Sequence, residues 1–438
     1  MKKLVALAST TLVAGSLGVV ALFASSAPSF APARSYATGA GPSSVAISDL
    51  NGDGRPDLAT ANVHADTVSV LVNDGEGGFR SRRDFVTGLT PAVVRLGDLT
   101  GDGKPDMASA NMEAPSVSVF LNRGDGSFQA KRDYATGSSP FSIASGDLNG
   151  DGTADLATAN QYAVSVFINR GDGSFEPRLD HATENGGPSI AIGDLNGDAK
   201  QDIATANYDA STVSVLLNKG DGSFQAKADY STGASPVEVA IGDLNGDGKP
   251  DLATANIGAN TASVLLNRGD GTFRAKRDYG TGRGPTSVAI GDLNSDRRPD
   301  LAVTNFEEAS NVSVLSNRGD GSFAAHVEYR TERFPTSAAI GDLNGDGRLD
   351  LVAANHGVKS VSVFINRPGL CTVQNVRGKA LPKARRTITR ASCRVGKIRH
   401  AYSDYPRGHV KSQKPKPGTV LPGGGKVNLV VSRGRGPS

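Results

Sequence analysis

The segment Asp-Leu-Asn-Gly-Asp-Gly-Lys-Pro-Asp at residues 243–251 recurs in closely related form seven times in a chain of 438 residues. The copies begin at Asp49, Asp98, Asp147, Asp194, Asp243, Asp292 and Asp342, with spacings of 49, 49, 47, 49, 49 and 50 residues. A unit of this size has too little apolar surface to bury a core alone. Such a period therefore demands stacked or radially arranged units.

Each unit carries four short β-rich runs separated by Gly, Asp and Asn turns. Residues 236–279 show them in order: Pro-Val-Glu-Val-Ala-Ile-Gly, the acidic loop, Leu-Ala-Thr-Ala-Asn, a variable stretch, Ala-Ser-Val-Leu-Leu-Asn, the turn Arg-Gly-Asp-Gly, and Thr-Phe-Arg-Ala-Lys-Arg-Asp-Tyr. Four-stranded antiparallel meanders at nearly 50 residues per unit predict an all-β, seven-bladed β-propeller. A helical repeat would need a 3.6-residue period that is missing. The seventh unit lacks its fourth strand, and Ser29–Tyr36 matches that strand in pattern. The two ends are thus predicted to complete one blade and remove an open edge.

Charge divides the chain further. Residues 371–438 hold 16 Lys and Arg against Asp404, a net of +15, whereas residues 1–370 carry a net of −12. Two domains are expected, a propeller over residues 27–367 and a smaller module over 368–438. Residues 1–26 read as a signal peptide: Lys2 and Lys3, an apolar stretch to Ala24, and a small-residue exit. An uncleaved membrane anchor is the other reading of that stretch. The expected location is extracellular.

The acidic loop offers oxygen donors at positions 1, 3, 5 and 9. These are Asp49, Asn51, Asp53 and Asp57; Asp98, Thr100, Asp102 and Asp106; Asp147, Asn149, Asp151 and Asp155; Asp194, Asn196, Asp198 and Asp202; Asp243, Asn245, Asp247 and Asp251; Asp292, Asn294, Asp296 and Asp300; and Asp342, Asn344, Asp346 and Asp350. An all-oxygen set around a tight turn suits a hard cation, and Ca²⁺ is the expected cofactor at up to seven sites. The plain alternative is an ion-free Asx-rich turn, since these residues dominate ordinary turns. Three carboxylates on nine residues repel one another, which favours the ion. The copy at Asp292 has Ser295 and Arg297 in place of Gly and is expected to be weak or empty.

The loop Asp-x-Asn-x-Asp-Gly-x-x-Asp between strands, at this period and copy number, resembles the FG-GAP/VCBS repeats of integrin-α-like propellers over about residues 29–367. That resemblance implies structural Ca²⁺ on one face and ligands on the opposite one. The literal Phe-Gly and Gly-Ala-Pro signatures are absent, which points to the bacterial FG-GAP-like branch. The variable loops of the opposite face carry the ligand candidates Tyr162, Tyr208, Asp209, Phe306, Glu307, Phe334 and His356, with a protein or glycan partner expected. His64, Met112 and Glu113 are released from the repeat in the same way.

Arg-Gly-Asp occurs at Arg123, Arg170, Arg268 and Arg318, always within Asn-Arg-Gly-Asp-Gly, and its context reads as a hairpin turn. The six His fall into no metal or triad spacing, so no enzyme is expected. A propeller-fold carbohydrate lyase or hydrolase, with a site assembled from distant loops, is the competing reading.

The basic module contains Ser-Gln-Lys-Pro-Lys-Pro-Gly and Val-Asn-Leu-Val-Val-Ser-Arg-Gly, with a helix-compatible stretch at Leu381–Ala391. It resembles a PASTA domain, which implies peptidoglycan as partner for residues 371–438. The charge of +15 would attract an anionic wall polymer, and export argues against nucleic acid. Cys371 and Cys393 depart from that family's pattern. In an exported chain they are expected to form a disulfide. The expected whole is a monomeric, secreted, calcium-binding adhesion module held at the bacterial envelope.

Overall fold

The computed structural model describes residues 27–161, 163–183, 187–307, 310–367, 371–391, 393–421 and 425–436, apart from the side chains of Cys371 and Arg390. The proposed signal, residues 1–26, and Tyr162 lie outside the described residues.

Among the described residues, residues 34–364 contain seven four-stranded antiparallel sheets. The first is made of Pro42–Ser48, Asp57–Asn62, Thr67–Asn73 and Phe79–Val86. Five more follow in the same order. The last combines Pro335–Gly341, Asp350–Asn355 and Ser360–Phe364 with Arg34–Ala37 from the beginning of the chain. Tyr36 lies opposite Val361 in that pairing, and Phe30 bridges to Asn366.

Burial explains the composition of each strand. The second strand, Asp-Leu-Ala-Thr-Ala-Asn in the first sheet, is buried at all six positions because a neighbouring sheet covers each face. Its alanines let the sheets approach closely, while Val and Leu of the third strand supply the volume. The fourth strand is mostly exposed and carries the charged side chains. Apolar clusters form between consecutive sheets, such as Ala59, Val70, Val94 and Met107 between the first and second. A cluster of the same kind joins Val45, Leu58 and Leu71 of the first sheet to Leu343, Val352 and Val361 of the last.

Polar links cross the same junctions. Ser44 accepts the Val94 N–H, Ser189 that of Val239, Ser287 that of Ala338 and Ser337 that of Val45. Each of these hydroxyls ties one inner strand to the next.

The C-terminal module is α+β. Arg394–Ala401 runs parallel to Lys426–Ser432, which pairs antiparallel with Val410–Lys414. Helix Leu381–Arg390 begins with Pro near its first position, but has no side-chain cap and no acid in its first turn. Its termini thus contribute little. It is held by burying Ala384 and Ile388, one turn apart, against Val373, Val376 and Val427. No helix among the described residues is long and apolar enough to cross a membrane.

Candidate functional site

The acidic loops sit at one end of every sheet, together with the Arg-Gly-Asp hairpins of the four sheets that have them, and the variable loops sit at the other. In the first acidic loop, Asp49 accepts the N–H groups of Gly52 and Asp53 on Oδ1 and that of Gly54 on Oδ2. Asp57 accepts from Leu50 and Asn73, and Asp53 from Arg55. The same pattern recurs around the molecule. Where Gly is missing, the backbone keeps its shape: Ala199, Ser295 and Arg297 adopt φ of 66°, 60° and 69°.

The position-nine aspartates are buried, and that sets their ionisation. Burial pushes Asp57, Asp155, Asp251 and Asp350 up to about 6, with the two other carboxylates of each loop adding to the shift. Asp300, in the loop that lacks its glycines, is pushed up to about 7 by burial.

These donors are chemically suited to a hard cation, because they are all oxygens and the buried member has two acidic neighbours. They are not gathered in advance: among the described residues no three His, Cys, Asp or Glu are grouped to hold a metal. The residue at position seven divides the loops further. Lys104, Lys200 and Arg348 pair with Asp102, Asp198 and Asp346 in the second, fourth and seventh loops. Arg55, Lys249 and Arg298 instead donate to hairpin carbonyls of Asp74, Arg268 and Arg318. The loop at Asp342, intact by sequence, thus carries its own counter-charge.

The hairpins prove to be structural through their first residue. Asn122 donates from Nδ2 to the Leu50 carbonyl of the preceding sheet (3.0 Å) and to Pro105 of its own, while its Oδ1 accepts the Gly124 N–H. Asn169, Asn218, Asn267, Asn317 and Asn366 repeat the link to Leu99, Leu148, Leu195, Leu244 and Leu293. Asp125 of the tripeptide is tied to the Ser127 N–H within the turn.

A second network was not legible in the sequence. Asn62 donates to Ser69 Oγ, and that hydroxyl donates to Asp84 (2.7 Å). Ser118–Asp133, Ser165–Asp180, Ser214–Asp229 and Ser263–Asp278 repeat the arrangement. Ser69 is fully buried while Asp84 stays exposed, and the pair braces the third strand against the fourth.

At the variable end the structure gathers three of the seven ligand candidates. Phe306 and Phe334 stack with centroids 4.9 Å apart, and His356 lies 6.4 Å from Phe306. His64 of the first sheet completes the group, 5.0 Å from His356 and edge-on to it. Arg333 stands over the Phe334 ring at 5.3 Å. Two glycines make the space: a Cβ on Gly357 would come within 2.4 Å of Phe334, and one on Gly41 within 2.5 Å of His64. Phe334 holds φ of 57°, a left-handed conformation uncommon for a bulky residue. Burial and the neighbouring His64 hold the His356 imidazole below its ordinary value. Glu307 is exposed beside this group. Tyr208 and Asp209 are exposed on the fourth sheet, and no ring contact joins Tyr208 to the cluster among the described residues.

The C-terminal module carries a groove of about 770 Å³ whose lining includes Lys397, Arg399, Lys414 and Lys416, with Ser412, Gln413 and Asn428 between them. Four cations thus surround one groove lined with hydrogen-bonding side chains and give it a positive rim.

This combination of repeated four-stranded sheets and acidic hairpins defines a propeller-type repeat protein. The chain belongs to the FG-GAP-like repeat family, which matches residues 49–109, 98–158, 147–205, 194–254, 243–303 and 292–353. A PASTA domain matches residues 372–433. No curated protein sequence matches the chain. Among solved structures, BBS1N in complex with ARL6DN aligns with a TM-score of 0.56 and 12% identity, over 77% of this chain and 97% of that one. An Agrocybe aegerita lectin with specific recognition of non-reducing terminal N-acetylglucosamine aligns with a TM-score of 0.50 and 22% identity, over 71% of this chain and 85% of that one. Both are likenesses of fold. The FG-GAP-like repeats and the PASTA domain together indicate an extracellular or cell-wall-associated repeat protein.

Proposed function

We propose that this protein is a secreted, calcium-stiffened, non-enzymatic binding module that docks on the bacterial envelope. The cationic groove of the PASTA domain carries this reading, because Lys397, Arg399, Lys414 and Lys416 face one cavity suited to an anionic wall polymer or peptidoglycan. The seven sheets close into one seven-bladed ring. The cluster joining Val45 to Val361 and the hydrogen bond from Val45 to Ser337 support this closure.

Ca²⁺ binds at the acidic loops through Asp, Asn and backbone oxygens, and offsets the carboxylate repulsion there. The loops at Asp49, Asp147 and Asp243 lack an internal ion pair at position five among the described residues, and they bind most strongly. Cys371 and Cys393 pair as a disulfide across the C-terminal module. The face bearing Phe306, Phe334, His64 and His356 takes the ligand. A glycan is the first class to test there, because stacked rings suit a sugar face and the similarly folded lectin recognises N-acetylglucosamine.

Pulldown on purified peptidoglycan separates the two roles. Full-length protein is expected to be retained in a salt-sensitive manner, and a form ending at Arg367 to be released. Equal retention of both overturns the docking role of the C-terminal module.

A further inference from the structure

All seven sheets contribute their inner strands to a cavity of about 110 Å³ at the centre of the ring, near the variable-loop end. Its wall is mainly Ser and Thr, as the repeat dictates. Two positions break the repeat. Arg95 faces Ala108 in the second sheet, where the same position is alanine in the six other sheets. Glu238 faces Ala255 in the fifth sheet, where the others have Ser or, in the second, Val93.

Glu238 keeps the structural task of the serine it replaces, since its Oε2 accepts the Val288 N–H at 2.8 Å, as Ser189 accepts that of Val239. Arg95 donates to the Val94 carbonyl at 3.3 Å. Burial disfavours both charges, lowering the Arg95 pKa and raising that of Glu238; the Ser287 hydroxyl, then Arg95 and the Val288 N–H, partly offset the shift on Glu238, and Glu238 partly offsets that on Arg95. No direct ion pair joins them among the described residues. Two opposite charges from nearly opposite sheets therefore face one small hydroxyl-lined space without meeting. A half-buried charge with no opposite charge in contact carries a desolvation cost. A ligand bearing both complementary charges would remove that cost on both sides.

We propose that this axial cavity binds a small zwitterion of the α-amino-acid class, its carboxylate on Arg95 and its ammonium on Glu238 and the surrounding hydroxyls. The volume restricts the ligand to roughly five non-hydrogen atoms, since a cavity near 150 Å³ is filled by the six of benzene. Glycine fits this limit, alanine adds one methyl to it, and a disaccharide is far too large. The site is separate from the loop-face cluster and from the acidic loops.

Calorimetric titration of the full chain with glycine and L-alanine tests the proposal, with acetate and methylammonium as single-charge controls. Both amino acids are expected to bind saturably, and each control at least about tenfold more weakly, because it lacks one charge-assisted contact. Arg95→Ala and Glu238→Ser each restore the residue usual at that position, so both suit the fold. Each is expected to weaken L-alanine binding about tenfold or more. If either variant fails to fold, the double variant Arg95→Ala/Glu238→Ser, which leaves no unpaired charge, carries the test. Absence of amino-acid binding to the native chain, equal binding of acetate, or unchanged binding in the folded variants overturns the proposal.

Discussion

Asn73 donates from Nδ2 to the Leu343 carbonyl at 2.8 Å, across 270 residues of chain. The first sheet is thereby linked to the last by the same amide that links each other sheet to its predecessor. The side chain also bonds the Pro56 carbonyl, and its oxygen accepts the Gly75 N–H. Asn73→Ala leaves three buried or half-buried backbone groups without a partner and is expected to cost about 2–3 kcal/mol. Urea unfolding checks this, with Asn122→Ala as the comparison within the chain. A closed ring predicts equal losses, and a neutral Asn73→Ala would refute the first-to-last junction.

Metal and pH are expected to act on the acidic loops together. Asp57, Asp155, Asp251 and Asp350 stand at about 6 in the folded chain against the ordinary 3.8 of an aspartate. Without a cation the folded form holds these protons more tightly, so their stabilisation is present at low pH and lost as pH rises from about 4 through 6. In chelator the melting temperature should fall between pH 5 and pH 7.5. Bound Ca²⁺ favours the ionised form, so this fall should disappear with millimolar Ca²⁺. An identical slope in both conditions argues for plain Asx turns.

His356 gives the opposite slope. Its folded value lies below the ordinary 6.5, with burial as the larger cause and the neighbouring His64 as the smaller. The unfolded chain takes the proton first, so stability is lost as pH falls through 6.5 towards the lowered value. His356→Gln should flatten this loss in melting curves recorded in Ca²⁺ between pH 7.5 and 5.

Phe334 occupies a left-handed position that is glycine at Gly41 and Gly284. Phe334→Gly should change stability by less than about 1 kcal/mol, because relief of backbone strain offsets the lost ring contacts. Glycan-array binding should be abolished, since the stacked platform is gone. Retained binding would move the ligand elsewhere on the face.

Charge reversal in the C-terminal groove, Lys414→Glu with Lys416→Glu, should reduce retention on anionic wall polymer at least about tenfold and flatten its salt dependence. Co-sedimentation at two ionic strengths measures both. Both side chains are exposed, so the melting temperature should stay within about 2 °C.

The strand order, the acidic hairpins and the helix at Leu381 were legible because each follows from a local period or turn chemistry. What escaped the sequence was long-range. Asn73 and Asn122 read as ordinary turn residues, and only the approach of the next sheet makes them cross-links. His64 and His356 are almost 300 residues apart and meet where the first and last sheets adjoin. Arg95 and Glu238 become exceptional only when the inner strands are aligned in register. Of the ligand candidates, Phe306, Phe334 and His356 converge, while Tyr208 stands apart on another sheet.

Arg34–Ala37 pairs with Ser360–Phe364, and the C-terminal module follows a few residues after Asn366. A pull on the chain beyond Asn366 would act first on the strand Ser360–Phe364. That strand is paired on one side with Arg34–Ala37 and on the other with Asp350–Asn355, so the strand nearest the C-terminal module is anchored on both flanks.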